Sequence, residues 1–177
     1  MSDRYKKFDK TMMIHAFVSS KDSYCNRRKV GACISKNGRV ISTGFNGTVQ
    51  GADNCCEDVC DSCNGTKIVH NEVDNQTVPC PKCKGLGIVT NEFVVHAEQN
   101  AITDAAKRGI TLDGSEIFVT DSPCKTCAKL IVSVGIKRVV YAREYHCTEG
   151  IDFLKKMGLE VEHMDKSFSI EETLNIY

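Results

Sequence analysis

No stretch of this chain stays apolar for long. The longest runs, Phe93-Val94-Val95 and Val139-Val140-Tyr141-Ala142 among them, are the size of a β-strand and far too short to span a bilayer. Neither charge prevails: lysine plus arginine and aspartate plus glutamate number 23 each in 177 residues. A chain without net charge projects no field to gather a polyanion, so nucleic acid loses weight as a partner except through a local patch. Met1 to Lys10 is charged and has no apolar signal core. The expectation is a cytoplasmic protein with no membrane partner. Tryptophan is missing and proline occurs three times, which leaves most of the punctuation between elements to 13 glycines.

Cysteine, by contrast, is abundant, with eleven in all. A secreted disulfide framework is one reading. The charged N-terminus and the paired spacing of several cysteines favour thiolate metal ligands in a reducing compartment. The length, 1–177, fits a single domain with a sizeable core and a small appendage.

Three soft ligands and one carboxylate carry the chemistry: His96-Ala97-Glu98, then, after a helix-length interval, Ser122-Pro123-Cys124-Lys125-Thr126-Cys127. A zinc ion held by His96, Cys124 and Cys127 keeps its fourth position for water, as catalytic rather than structural sites do. Zinc brings the pKa of such a water toward neutrality. Glu98, two residues from the histidine, is placed to carry the water's proton to a ring nitrogen and then to a departing amine. The plainer alternative is a three-ligand zinc clip with a solvent-facing glutamate.

The surrounding pattern alternates. Phe8, Met12, Met13, Ala16 and Phe17 recur at helical spacing, which predicts an amphipathic helix from about Tyr5 to Ser20. Val30 to Ser35 and Val40 to Phe45 read as strands joined by an Asn37-Gly38 hairpin turn. From Gly47 to about Glu92 periodicity disappears, which marks an insertion at about 47–92. A helix should follow from His96 to about Arg108, capped by Gly109, and then a strand over Glu116 to Thr120. Pro123 should open the next helix, placing Cys124 and Cys127 one turn apart on one face. After Gly135 come a strand from Arg138 to Ala142, a helix from Glu149 to Met157, and a last strand from Leu159 to His163. Such alternation predicts parallel pairing and an α/β layered sheet. Asp165 to Tyr177, with scattered apolar positions, reads as an interface cover or a frayed end.

With these residues placed, the H-x-E…P-C-x-x-C pattern resembles that of zinc nucleobase deaminases. From about Asp9 to Val161 the chain is similar to the deoxycytidylate (dCMP) deaminase family of the cytidine deaminase superfamily. The resemblance rests also on Cys25-Asn26-Arg27-Arg28-Lys29-Val30-Gly31-Ala32, on Gly44-Phe45-Asn46-Gly47 and on Cys55-Cys56-Glu57-Asp58. Phe45 stands where the family has tyrosine or tryptophan, and Asp121 where it more often has leucine. The resemblance implies a three-layer α/β fold with a five-stranded mixed sheet and a cysteine-rich zinc-binding insertion. It also implies hydrolytic deamination of dCMP to dUMP and ammonia, activation by dCTP and inhibition by dTTP with magnesium, and a homo-oligomer such as a hexamer. Carried onto this sequence, Asn46 would bond the sugar, the Ala97 N–H the pyrimidine carbonyl, and the Ser122 carbonyl the amine being lost. Asn46 can also be read as a plain turn residue. Arg27, Arg28 and Lys29, with Gly44, Phe45 and Gly47, would hold the effector triphosphate. A solvated charge run is the other reading of the three cations.

Cys60-x-x-Cys63 and Cys80-x-x-Cys83 have the spacing of a four-cysteine structural zinc site. Cys80-Pro81-Lys82-Cys83-Lys84-Gly85-Leu86-Gly87 resembles the Cys-x-x-Cys-x-Gly-x-Gly repeat of DnaJ-type zinc domains, whereas the first copy ends in Lys67. Free thiols or a disulfide are the alternatives. Cys55 and Cys56 could compete as ligands, with His70 nearby, and Cys25, Cys33 and Cys147 read as packing residues. Competing with dCMP deamination are deamination of another cytosine nucleotide or nucleoside or of a nucleic-acid base, and a non-catalytic zinc-binding interaction module. The module would have no use for Glu98.

Overall fold

A computed structural model describes residues 3–71, 73, 75–145 and 147–164, with side chains from Phe8 onward. The segment Asp165 to Tyr177 lies outside the described residues. In chain order the elements are α1 (Asp3–Lys21), β1 (Gly31–Lys36), β2 (Arg39–Phe45), β3 (Gly47–Thr48), β4 (Glu57–Val59), β5 (Ile68–Asn71), β6 (Gln76–Pro79), β7 (Ile88–Thr90), β8 (Val94–Val95), α2 (Ala97–Lys107), β9 (Glu116–Asp121), α3 (Lys125–Ser133), β10 (Arg138–Arg143), α4 (Glu149–Lys156) and β11 (Glu160–His163). They fall into two compact units. One comprises the chain up to Ser23, Lys29–Asn46 and Val95 onward; the other comprises Tyr24–Arg28 and Gly47–Val94.

The first unit is built on the expected five-stranded mixed sheet, in the order β11-β10-β9-β1-β2. β9, β10 and β11 run parallel, while β1 is antiparallel to both β9 and β2. Asn37 and Gly38, at φ 53° and 73°, make the two-residue turn between Lys36 and Arg39. Side chains alternate across the sheet, so each central strand feeds two cores. Cys33, Phe118 and Val140 meet Met12, Met13 and Ala16 of α1. Ala32, Ile34, Ile117, Val119 and Val139 meet Ala97, Ala101, Ala105, Ala128, Ile131 and Leu154, from α2, α3 and α4. Helix, sheet and helices thus form three layers. Alanines dominate the α2 contact because that helix lies close to the sheet: a Cβ on Gly44 would fall 2.4 Å from the Ala101 nitrogen. Gly44 is therefore required by packing, whatever else it does.

One local expectation needs correction. α3 begins at Lys125, with Cys124 as its extended N-cap at φ −71°, ψ 167°. Pro123 therefore precedes the cap rather than opening the helix. Arg138, unmarked in the sequence, is 1% exposed at the start of β10. Its guanidinium bonds Asp9 at 2.6 and 3.0 Å and Glu162 at 2.9 Å, with Glu116 at 3.6 Å and Glu160 at 3.9 Å. Burial opposes its charge; the Asp9 and Glu162 carboxylates outweigh burial and push its pKa up.

In the second unit, β4 pairs with β7 and β5 with β6, both antiparallel. A Cys25–Cys56 disulfide joins its two chain segments. Next to it the Glu57 carboxylate accepts the backbone N–H groups of Asn26 and Arg27 at 2.9 and 3.0 Å. Cys25 is thus a bonded half-cystine rather than a packing residue, and Cys56 is withdrawn from metal binding. Spacing along the chain carries no signal for a pair 31 residues apart. Cys33 is buried in β1, as read from the sequence, and Cys147 is half-buried. Among the described residues, no helix is long and apolar enough to cross a membrane.

Candidate active site and metal centres

The ends of β9 and the starts of α2 and α3 bring three donors together. His96 caps α2, Cys124 caps α3 and Cys127 sits one turn on. His96 Nδ1 lies 3.6 Å from Cys124 Sγ and 3.4 Å from Cys127 Sγ. A tetrahedral zinc with ordinary Zn–S and Zn–N bonds holds such atoms ~3.6 Å apart. The spacing and the chemistry of the donors therefore fit zinc. The His96 backbone N–H donates to Gln99 Oε1 at 2.9 Å, which fixes the ligand at the helix mouth. Hydrogen bonding by Cys127, then by His96, brings the Cys124 thiol down to about 3, so a thiolate stands ready there. The same pairing with Cys124 pushes Cys127 up, and the Cys124 sulfur raises His96.

Glu98 follows in the first turn of α2 and is 4% exposed. Burial raises its carboxyl above the ordinary glutamate value, against the opposing pull of its own backbone N–H and of His96. A solvent-facing glutamate, the plainer alternative, is not what the fold provides. Ala97, fully buried, occupies the first helical position, where an N–H has no partner within the helix. Ser122, the residue just after β9, donates its backbone N–H to the Arg143 carbonyl at 2.8 Å and accepts the Tyr145 N–H on Oγ at 2.8 Å. Asn46 ends the β1–β2 hairpin on the same edge of the sheet. Its Oδ1 accepts the Val30 N–H at 2.8 Å, its backbone N–H donates to the Val30 carbonyl at 3.1 Å, and its carbonyl accepts from Ser23 Oγ at 2.8 Å.

The family model described as the cytidine and deoxycytidylate deaminase zinc-binding region matches residues 6–143. The chain belongs to this family. Its relatives include the deoxycytidylate deaminase of Enterobacteria phage T4, 36% identical over 88% of this chain and 89% of the relative. ComE operon protein 2 of Bacillus subtilis (strain 168) is 31% identical over 86% of this chain and 69% of its own. Among solved structures, the dCMP deaminase from the cyanophage S-TIM5, crystallised in complex with dCMP and dUMP, shares 39% identity at a TM-score of 0.69, covering 93% of this chain and 99% of that one.

In this family member the second unit holds a second set of soft donors. Cys60, Cys63, Cys80 and Cys83 are all buried, with sulfurs within 4.8 Å of one another. The Cys60–Cys80 and Cys63–Cys83 sulfurs are 3.8 and 3.7 Å apart. A tetrahedral four-thiolate zinc separates its sulfurs by ~3.8 Å. The two knuckles repeat each other at an offset of twenty residues and exchange their ends. Cys60 N–H donates to the Gly87 carbonyl at 2.9 Å, and Cys80 N–H to the Lys67 carbonyl at 2.8 Å. Gly87, at φ 78°, points its N–H at Cys83 Sγ, 3.2 Å away. Lys67, at φ 72°, takes the left-handed conformation despite its side chain. Cys55 is exposed and turns its thiol to the Glu57 carbonyl, while His70 bonds Asn75. Neither joins the cluster.

The residues read as an effector site are distributed across both units. Arg27, in the second, donates from its guanidinium to Thr90 Oγ1 at 3.0 Å. Gly47, also in the second, is buried, as are few of its neighbours. Lys29, in the first, is exposed and lends its carbonyl to Arg143 Nη2 at 3.4 Å. Phe45 accepts on its carbonyl from Asn100 at 2.7 Å. Arg28 is half-buried.

Proposed function

We propose that this chain hydrolyses dCMP to dUMP and ammonia. The observation that carries the reading is the gathering of His96, Cys124 and Cys127 around one point, with the buried carboxyl of Glu98 two residues from the histidine. The names of the phage relatives, and the nucleotides bound to the cyanophage enzyme, support dCMP as the substrate. Zinc, when bound, supplies an activated water. Glu98 takes a proton from water and delivers it to the ring nitrogen, then carries a second proton from the added hydroxyl to the leaving amine, a task suited to a carboxyl whose proton affinity is raised by burial. The Ser122 carbonyl accepts from that amine and the Ala97 N–H donates to the pyrimidine carbonyl. The Asn46 amide, whose Oδ1 accepts the Val30 N–H, meets a sugar hydroxyl. A base with the wrong edge would leave these buried groups unpaired, which supports selectivity.

Two finer points belong to the same proposal. A second zinc held by Cys60, Cys63, Cys80 and Cys83 would give the second unit folding free energy that its sparse apolar residues do not supply. Activation by dCTP and inhibition by dTTP, with magnesium, through Arg27, Arg28, Lys29, Gly44, Phe45 and Gly47 in a cytoplasmic homo-oligomer, rest on the family resemblance and on the cationic run.

The test is ammonia release from dCMP, dCTP, deoxycytidine and CMP by the zinc-loaded protein. Turnover confined to dCMP is expected; a preference for any of the others would replace the substrate. Saturation with dCMP at fixed dCTP or dTTP, magnesium present, should give sigmoidal curves that dCTP straightens and dTTP deepens. Hyperbolic curves throughout would leave an unregulated enzyme.

A further inference from the structure

We propose that Asp121 and Arg143 form a positioning pair that fixes the Ser122 carbonyl and so sets recognition of the departing amine. The proposal rests on the functional reading above. Asp121 and Arg143 are the last residues of β9 and β10 and stand opposite each other in the parallel register. Asp121 is 4% exposed, and its carboxylate accepts from Arg143 Nη2 at 2.8 Å and from Thr120 Oγ1 at 3.2 Å. The guanidinium also donates from Nε to the Thr120 carbonyl at 3.3 Å and from Nη2 to the Lys29 carbonyl at 3.4 Å. Its carbon lies 5.7 Å from the centre of the Phe17 ring. Arg143 is thereby tied to β9, to the approach to β1 and to α1, all through its own side chain.

Its backbone then does something else. The Arg143 carbonyl accepts the Ser122 N–H, and two residues later the Tyr145 N–H donates to Ser122 Oγ. Pro123 confines the residue before it to extended backbone angles. With its nitrogen and hydroxyl both held and its ψ restricted, Ser122 has little freedom left in which to turn its carbonyl. The orientation of that acceptor is passed down from the Asp121–Arg143 ion pair. The pair is partly buried, and a charge-assisted bond is shorter and stronger than a neutral one.

A positioning role differs from a plain stabilising one in what it affects. The experiment compares the zinc-loaded wild type with Asp121→Asn, Arg143→Ala and Arg143→Lys. For each it measures kcat/KM on dCMP, zinc content, and the inhibition constant of the 2-pyrimidinone deoxyribonucleoside 5′-monophosphate, which has hydrogen in place of the amine. Asp121→Asn and Arg143→Ala should lose about tenfold in kcat/KM, with zinc retained and the inhibition constant within about twofold of wild type. Arg143→Lys, a change at a half-exposed side chain, should regain part of the loss and keeps the test open if Asp121→Asn fails to fold. Equal weakening of turnover and inhibitor binding, or no change in either, would overturn the proposal. A wild type that releases no ammonia from dCMP would instead remove the functional reading beneath it.

Discussion

Gly150 of α4 abuts the carbonyl oxygen of Pro123: a Cβ at position 150 would lie 1.9 Å from that oxygen and 2.9 Å from the Cys124 carbonyl carbon. The neighbour in the way is backbone, so it cannot rotate aside. Gly150→Ala should push the Pro123–Cys124 peptide outward and cost about 1–3 kcal/mol. Because that peptide carries a zinc donor, the variant should also release metal to a chelator faster than wild type. Thermal melting and zinc release measured together check this, and a fully stable Gly150→Ala with unchanged release would contradict the packing.

Glu98→Gln should keep its zinc and lose about a hundredfold or more in turnover, since the amide nearly preserves size but cannot shuttle protons. Alanine at His96, Cys124 or Cys127 should instead lose metal and activity together. Metal analysis beside ammonia release separates the two patterns. Wild-type turnover in Glu98→Gln would take the carboxyl out of the mechanism.

The paired knuckles give a prediction with an internal control. Lys67 bears a side chain in a left-handed conformation that costs roughly 1–2 kcal/mol, whereas its counterpart Gly87 bears none. Lys67→Gly should therefore stabilise the second unit, by at most about 1 kcal/mol once the added freedom of the unfolded chain is set against it. Gly87→Ala should do the opposite, since its Cβ would fall 2.7 Å from the Gly65 carbonyl oxygen. Cys60→Ser combined with Cys83→Ser should lower zinc from two ions per chain to one. The same stoichiometry in that double variant and the wild type would show that the unit is held in another way.

The carboxylates around Arg138 should leave a mark on the pH dependence of stability. Burial, followed by the neighbouring Glu162 carboxyl, raises Glu160 above the ordinary glutamate value. A carboxyl raised in the folded state binds its proton more tightly there than in the unfolded chain. Folding stability therefore falls as pH climbs from the ordinary value through the raised one. Glu160→Gln should remove that fall, melting higher than wild type near neutral pH and equally at about pH 4. The side chain is about half exposed, so the gain should stay under about 1 kcal/mol. Parallel melting curves for both proteins across that range would count against it.

Local chemistry was legible in the sequence and non-local pairing was not. Asn37-Gly38 announces its hairpin because both residues tolerate positive φ, Cys124 and Cys127 pair because one helical turn puts them on one face, and His96 with Glu98 is legible only through the H-x-E…P-C-x-x-C motif. Cys25 gave no sign of Cys56, since the two are 31 positions apart with the whole β1–β2 hairpin between them. The insertion reads as about 47–92 alone, yet Tyr24–Arg28 belongs to the same unit as Gly47–Val94. Arg138 looked like any charged residue at a strand start; only the fold supplies Asp9 and Glu162 and makes its burial tolerable. Pro123 is expected two residues too far along, at the first helical position, because the cap that decides it, Cys124, takes the extended backbone of an N-cap without the side chain that usually announces one.

His96 and Cys124 are both caps, and this has an electrostatic consequence. β9 is parallel to β10, and β2 runs in the same direction as β9 because β1 is antiparallel to both, so α2 and α3 start at the same edge of the sheet and aim their N-terminal poles at one point. Each pole carries roughly half a positive charge on its unpaired N–H groups. The two poles favour thiolate over thiol at the cysteines and would favour negative charge developing on the pyrimidine during attack. This part of the field comes from backbone rather than from any ionisable side chain. It does not titrate, and it survives every substitution that leaves the first turns of the two helices wound.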